Sequence, residues 1–424
     1  MKPATLNLRT DIIEEHVEEV AFLWSVRDSA VLAANYNLPD IMELDNRLNA
    51  HFNGLRLSID LAWPFCVGAI NHGEAGEIFA AMVIASEDGD DGRMRAVLDA
   101  VCASPECSGG LISALGWLPS DVLNAQLTQL FSDGSPVLRR AAIAAQAIAR
   151  QDPGPRLQES IVDDDPFLRA RALRAAGELG RIDLLPLIQK EMMAEDEHVR
   201  FAACWSAALF GDMTAVAILK SFIASADYAE KAMDMALRGM PVGTAKEWLN
   251  ELAENPDYIR LIVKGAGIVG EAAFIPGLIE AMATPALSRI AGNAFSTITG
   301  VDIVEANMEA DAPTVAEGDT SGEPDETSEE TDEQAMAIDP DEDLPWPNRD
   351  RVARWWEANQ GQFQPGERYL LGKPLTVENL QHVLRFGYQP QRAAAALELA
   401  LKQPGQPLFD TRAPAARQRR LLGL

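Results

Sequence analysis

The sequence predicts an all-α protein: an α-solenoid with an N-terminal helical hairpin and a small, mostly helical C-terminal module after a disordered acidic linker. Three observations carry that reading. A basic residue recurs at Arg139, Arg169, Arg200, Lys231, Arg260 and Arg289, at spacings of 30, 31, 31, 29 and 29. Apolar residues around each recurrence fall at helical spacing, and strand-type alternation is nearly absent. Charge, finally, is laid down in blocks. Residues 1–304 carry a net −18, residues 305–343 a net −16, and residues 344–424 a net +6.

In chain order, residues 1–57 read as a helical hairpin. Residues 11–34 form one amphipathic helix, and a second follows Pro39 with Ile41, Leu44, Leu48, Phe52 and Leu55 spaced 3, 4, 4 and 3. So narrow a stripe suits two antiparallel helices packed on the first solenoid unit. The solenoid spans 58–304, and its first part, to about 131, reads as degenerate capping repeats. WPFCVGAI (63–70) and IFAAMVIA (78–85) are apolar on most faces and are expected to be buried.

The repeats then become explicit: SPVLRRAAIAAQAIAR from Ser135, DPFLRARALRAAGELGR from Asp165 and DEHVRFAACWSAALFGD from Asp196. Fainter copies begin at Asn255 and Pro285. Asp165 and Asp196 stand where a helix N-cap is wanted, with Arg169 and Arg200 four residues on. Gly180, Gly211, Gly270 and Gly300 end the first helix of a unit, as glycine does where the chain turns left-handed. A second, shorter helix such as IDLLPLIQKEM follows. Small residues (Ala170, Ala172, Ala175, Ala176) let neighbouring helices approach closely. This pattern resembles bacterial HEAT repeats, in which a D-P-x-x-R-x-x-A helix is followed by glycine and a second helix.

Residues 305–343 hold sixteen acidic residues and no basic one. Such a stretch cannot bury enough apolar surface to offset its ordering entropy, so a disordered linker is expected. The module at 344–424 is basic and aromatic. Its rings supply a small core or a binding surface, and its basic end (Arg412, Arg417, Arg419, Arg420) either folds back on the acidic linker or meets an acidic partner. The candidate protein-binding residues are Trp346, Trp355, Trp356, Tyr369, Arg417, Arg419 and Arg420. The surface of the second helices of the solenoid, expected to line a concave groove, is the default place for a protein partner.

The function classes narrow further. A net charge of −28 argues against general nucleic-acid binding and against anionic membranes. No apolar run approaches the roughly 18 residues of a bilayer span. The start shows no apolar signal core, so a cytoplasmic protein is expected. Cys102 and Cys107 lack a second pair at zinc spacing. EDGDDG (87–92) places Arg93 and Asp99 where a calcium loop needs Gly and Glu. The five histidines are scattered. His16 reads as solvated on a charged helix face and His198 as a surface turn residue. No cofactor, metal or catalytic motif is expected, and the Asp–Arg pairs along the repeats read as structural bridges.

Several segments occur together in order: EEHVEEVAFLWSVRDSAV (14–31), LDNRLNAHFNGLR (44–56), GGLISALGWLP (109–119), DPFLRARALRAAGELGR (165–181), RIAGNAFSTITGVDI (289–303), LPWPNRDRVARWW (344–356), ERYLLGKPL (367–375) and QRAAAALELAL (391–401). The set resembles a family of proteobacterial HEAT-repeat proteins whose genes tend to sit beside type VI secretion genes. The resemblance implies a cytoplasmic, non-enzymatic accessory whose partner is a secretion effector, an adaptor or a PAAR-type spike-tip protein. It implies no catalytic residues. An immunity-type protein that neutralises a basic effector is the first alternative, and a HEAT-like lyase working in the groove is the second.

Overall fold

Twenty-two α-helices and one two-residue hairpin make up the computed structural model, which describes residues 10–312, 339 and 341–424. The chain divides into two compact units, residues 1–239 with 382–424 and residues 240–381.

The first unit opens with α1 (Thr10–Ala30) and α2 (Leu38–Arg56). Asn37 caps α2 reciprocally with Asp40, satisfying two orphan donors at that terminus. There follow α3 (Ile59–Ile70), α4 (Ala75–Asp88), α5 (Asp91–Ala103), α6 (Ser108–Trp117), α7 (Ser120–Ser132), α8 (Pro136–Ala149), α9 (Pro155–Ile161), α10 (Pro166–Glu178), α11 (Leu185–Glu191), α12 (Glu197–Leu209), α13 (Met213–Leu219) and α14 (Ala229–Gly239). One layer runs α1, α4, α6, α8, α10, α12, α14, each helix packed on the next, with the alternate helices behind it. This is the α-solenoid read from the 30-residue spacing.

The repeat residues do what the spacing asks of them. Asp165 and Asp196 accept the backbone N–H groups of Leu168 and Val199 at 2.7 and 2.9 Å. Arg169 and Arg200 donate to the carbonyls of Asp163 and Ala194 in the preceding turn, at 2.8 and 2.7 Å. Those arginines therefore tie each helix start to the previous connection. A continuous core links Leu48, Phe52 and Leu55 of α2 with Phe79 and Met82 of α4, Leu111 and Leu115 of α6 and Leu138 of α8. Each fully buried Leu or Phe contributes about 1.5–3 kcal/mol. The first two helices thus share the core of the unit that follows them.

The second unit holds α15 (Val242–Leu252), α16 (Ile259–Val269), α17 (Ile275–Ala281), α18 (Pro285–Thr299) and α19 (Arg349–Asn359), with β1 (Tyr369–Leu370) paired to β2 (Lys373–Pro374). Its core joins Ile290, Phe295 and Ile298 of α18 to Val352 of α19 and to Tyr369. The unit boundary falls inside α20 (Val377–Phe386). Beyond it, α21 (Gln389–Lys402) and α22 (Ala415–Leu422) return to the first unit, where α21 packs on α12 and α14 and α22 on α2.

Three expectations change here. Residues 344–424 do not form one module: 344–381 complete the second unit and 382–424 fold onto the first. Their adjacency in sequence says nothing about which surface each half buries. The edges of the expected linker are packed, with Met308 and Asp341 buried and Asp341 paired to Arg260 at 2.6 Å. Residues 313–338 and Pro340 lie outside the described residues. In α3, WPFCVGAI buries Cys66 and Ile70 but exposes Pro64, Val67 and Gly68, whereas Ile78–Ala85 of α4 is buried throughout.

Candidate functional site

Of the seven residues singled out from the sequence, Trp346, Trp355, Trp356 and Tyr369 lie in the second unit and Arg417, Arg419 and Arg420 in the first. Trp346 lies half-buried beneath the Arg289 guanidinium, whose carbon sits 4.7 Å from the ring centre. Trp355 meets Phe295 edge-on at 5.5 Å, and Trp356 packs on Phe363 at 5.4 Å. Tyr369 is buried, and its hydroxyl accepts the backbone N–H of Gln364 at 2.7 Å. All four rings serve the core or the flank of the second unit. Arg417, in the first unit, donates to the Gly116 carbonyl at 2.8 Å, while Arg419 and Arg420 are exposed.

Two clefts in the first unit offer more. The first is a groove of about 530 Å³ between α1, α3 and the start of α4. Its floor is apolar or small, from Val17, Ala21, Phe65 and Ala69, and Phe22 stands at its edge 61% exposed. Glu14, Glu18, Glu74 and Glu77 line it, with His72 the one basic type present. On α1, positions 14, 18, 21 and 25 recur at helical spacing, so one face of a single helix presents both carboxylates and apolar floor. Burial pushes the Glu77 carboxyl above the ordinary value, and the nearby Glu74 charge adds to it. Its Oε2 is buried without a hydrogen-bond partner among the described residues. An acid-rimmed apolar groove with an unsatisfied carboxylate oxygen complements a segment that is both apolar and basic.

The second cleft, also about 530 Å³, opens between the first-helix layer and the returning C-terminal segment 393–414. Its walls come from α1, α4, α6, α8 and α10, all of the first-helix layer, not from the second-helix surface expected to line a groove. Trp24, Phe79 and Trp117 form an aromatic wall, with Phe79 stacked on Trp24 at 6.0 Å and edge-on to Trp117 at 5.8 Å. Opposite stand Arg150, Arg171, Arg174 and Glu178. Glu178 pairs with Arg171 at 2.9 Å and with Arg174 at 3.2 Å. Burial alone would raise the Glu178 carboxyl, but Arg171, Arg174 and Arg150 bring it below the ordinary range. It is therefore the anionic partner of both arginines near neutral pH.

Arg150 is the exception in the repeat. The residues 30 and 61 positions on are Gly180 and Gly211, both at positive φ where the first helix ends. Arg150 takes the same left-handed conformation at φ 55. A side chain there costs about 1–2 kcal/mol that glycine avoids. Its Nε donates to the Leu408 carbonyl at 2.7 Å, and Nη1 donates to that of Ala147. At the equivalent Gly180, an added Cβ would stand 2.5 Å from the Gly405 carbonyl oxygen. The C-terminal segment therefore crosses two successive helix ends, one closed by glycine and one by arginine.

A buried ion pair anchors that segment. Arg27 Nε meets Asp45 Oδ1 at 2.5 Å, and Asp45 Oδ2 accepts the Ala415 N–H at 2.6 Å. The Arg27 Nη atoms donate to the carbonyls of Arg412 and Ala413 at 3.2 Å. Arg238 Nη1 reaches Glu398 of α21 at 3.0 Å.

Elsewhere the chemistry is structural. Gly89 closes α4 and Asp90 caps α5, so EDGDDG is an inter-helix turn. No group of three or more His, Cys, Asp or Glu suited to a metal occurs among the described residues. Burial pushes the Cys66 and Cys204 thiols up to about 12, so they stay protonated. The histidines are less isolated than their spacing suggests. His16 and His51 meet Nδ1 to Nδ1 at 3.0 Å, and His198 Nδ1 meets the Tyr228 hydroxyl. No helix of the described residues is long and apolar enough to cross a membrane.

A family model described as HEAT repeats matches residues 154–238, the stretch from the start of α9 to the end of α14. No curated protein sequence matches the chain. HEAT repeats commonly act as protein-interaction scaffolds, because stacked helix pairs present long continuous surfaces.

Proposed function

We propose that the protein is a non-enzymatic binding scaffold: a cytoplasmic adaptor or chaperone that helps load a type VI secretion effector, or that effector's own adaptor, onto a PAAR-type spike tip. The observation that carries the binding role is the acid-rimmed groove of α1 and α3, with exposed Phe22 and the unsatisfied Glu77 oxygen. The secretion setting rests on the ordered segments that resemble the type VI-associated family. A basic, apolar segment of the partner would lay its side chains against Val17, Ala21 and Phe65 and its cations against the four glutamates. Co-purification of the tagged chain with each gene product of the neighbouring cluster tests this. Capture of an effector, adaptor or spike-tip protein by the wild type, lost on Phe22→Asp, is the expected result. Failure of every neighbour to bind contradicts it.

The same acidic groove favours a second reading, an immunity protein that blocks a basic nuclease. Deletion separates the two: loss of an immunity protein poisons the cell or its siblings, whereas loss of an adaptor only stops delivery. The tail-covered cleft lends no weight to a lyase, since its Glu178 carboxylate is tied to both Arg171 and Arg174.

A further inference from the structure

We propose that the cleft beneath the C-terminal segment of the first unit binds a small oxyanion, a carboxylate or phosphate carried on an apolar or aromatic body. This inference is independent of the scaffold reading. In a chain with net charge −28, the cleft gathers Arg27, Arg150, Arg171, Arg174 and Arg412 against three carboxylates, Asp28, Glu178 and Asp410. Arg412 is committed to Asp28 at 2.7 Å, and Arg27 to Asp45 behind the wall. Glu178 serves both Arg171 and Arg174. Arg150 donates to the carbonyl oxygens of Leu408 and Ala147. The Arg150, Arg171, Arg174 and Glu178 group thus holds three cations and one anion, an excess of positive charge beside a cleft.

Two further observations point to a ligand. Arg171 Nη1 is buried and has no hydrogen-bond partner among the described residues. A guanidinium donor left unmet in that way is costly, and an incoming oxyanion satisfies it with a charge-assisted bond. Arg150 keeps a strained left-handed backbone where two following repeats use glycine, so the side chain is retained against its conformational cost. Arg150 Nε and Nη1 and Arg171 Nη2 already donate within the protein, and their remaining N–H groups are the donors a carboxylate or phosphate oxygen would take. Trp24 and Trp117, with the buried Phe79 packed between and behind them, supply the apolar side for the rest of the ligand.

The test is calorimetric titration of the full chain with inorganic phosphate, phenyl phosphate and benzoate at matched ionic strength, with tryptophan fluorescence followed in parallel. Saturable binding of phenyl phosphate or benzoate, tighter than inorganic phosphate, is expected, with a change in Trp24 and Trp117 emission. Arg171→Gln and Arg150→Gly should each weaken it about tenfold or more, the loss of one charge-assisted hydrogen bond. Arg150→Gly restores the residue used by the neighbouring repeats, so its backbone accommodates the fold. Circular dichroism and melting of each variant without ligand separate weakened binding from unfolding. If none of the three probes binds saturably, or if folded Arg150→Gly and Arg171→Gln bind as the wild type does, the proposal is overturned.

Discussion

Replacing Asp45 by alanine strikes the anchor of the C-terminal segment. The side chains of Arg27 and Asp45 are only 11% and 5% exposed, and one carboxylate holds both the guanidinium and the Ala415 N–H. Truncation leaves the Arg27 charge buried with carbonyl partners alone, a loss of about 3–5 kcal/mol for a broken buried pair. The orphaned Ala415 N–H adds to it, since an unsatisfied buried donor costs about 1–3 kcal/mol. Set against a typical stability of about 5–15 kcal/mol, the change is large. Urea unfolding followed by circular dichroism measures the total, and hydrogen exchange across 411–422 reports the tail. Asp45→Asn, which keeps an acceptor for Ala415, should lose less. The double variant Arg27→Met, Asp45→Leu should lose less than Asp45→Ala, because it removes both charges together. A loss below about 1 kcal/mol with unchanged exchange at 411–422 would refute the reasoning.

Other expectations follow from the same contacts. Trp355→Ala should destabilise the second unit by about 2–4 kcal/mol, somewhat under the usual cost of truncating a fully buried aromatic, because the ring packs on Phe295 but is half-buried; thermal melting checks it. Gly180→Ala adds a Cβ against the Gly405 carbonyl at a positive-φ site, so it should lower the melting temperature and speed proteolysis near 403–410. Burial, then His16 and Arg47, hold the His51 imidazole below 6.5 against the opposing pull of Glu19 and Glu15. The unfolded chain therefore binds a proton that the folded chain refuses, and stability falls as pH drops below 6.5 toward the lowered folded value. Melting curves between pH ~7 and ~5 should show this, with a shallower slope for His51→Gln. Glu14→Lys and Glu18→Lys, at exposed positions, should leave stability within about 0.5 kcal/mol while weakening capture of a basic partner.

The solenoid was legible because its signals are local. Asp165, Arg169 and Gly180 each act within one helix or its adjoining turns, so their 30-residue recurrence exposes the architecture directly. The route of the tail was not legible. Arg27 to Arg412 and Arg150 to Leu408 join residues hundreds of positions apart, and nothing around Arg412 announces its acceptor role. The aromatic run 346–369 reads equally well as surface or core, since composition does not say which neighbour a ring will find. The acid-rimmed groove had left a trace: Glu14, Glu18 and Phe22 recur every four residues on α1. Its other wall was hidden in WPFCVGAI, whose uniformly apolar letters mask the exposure of Pro64, Val67 and Gly68. Arg150 stood in plain view, where the following repeats have Gly180 and Gly211, and only its backbone angle shows that it shares their role.

The most direct test of the scaffold role uses three matched baits from the native host: the wild-type chain, the groove variant Glu14→Lys, Glu18→Lys, Phe22→Asp, and the cleft variant Arg171→Gln. Quantitative mass spectrometry of the captured proteins compares them. A secretion effector, adaptor or spike-tip protein bearing a basic, apolar segment should be enriched on the wild type and on the cleft variant and lost from the groove variant. An identical set of captured proteins on all three folded baits would contradict the assignment of the α1–α3 groove as the docking surface.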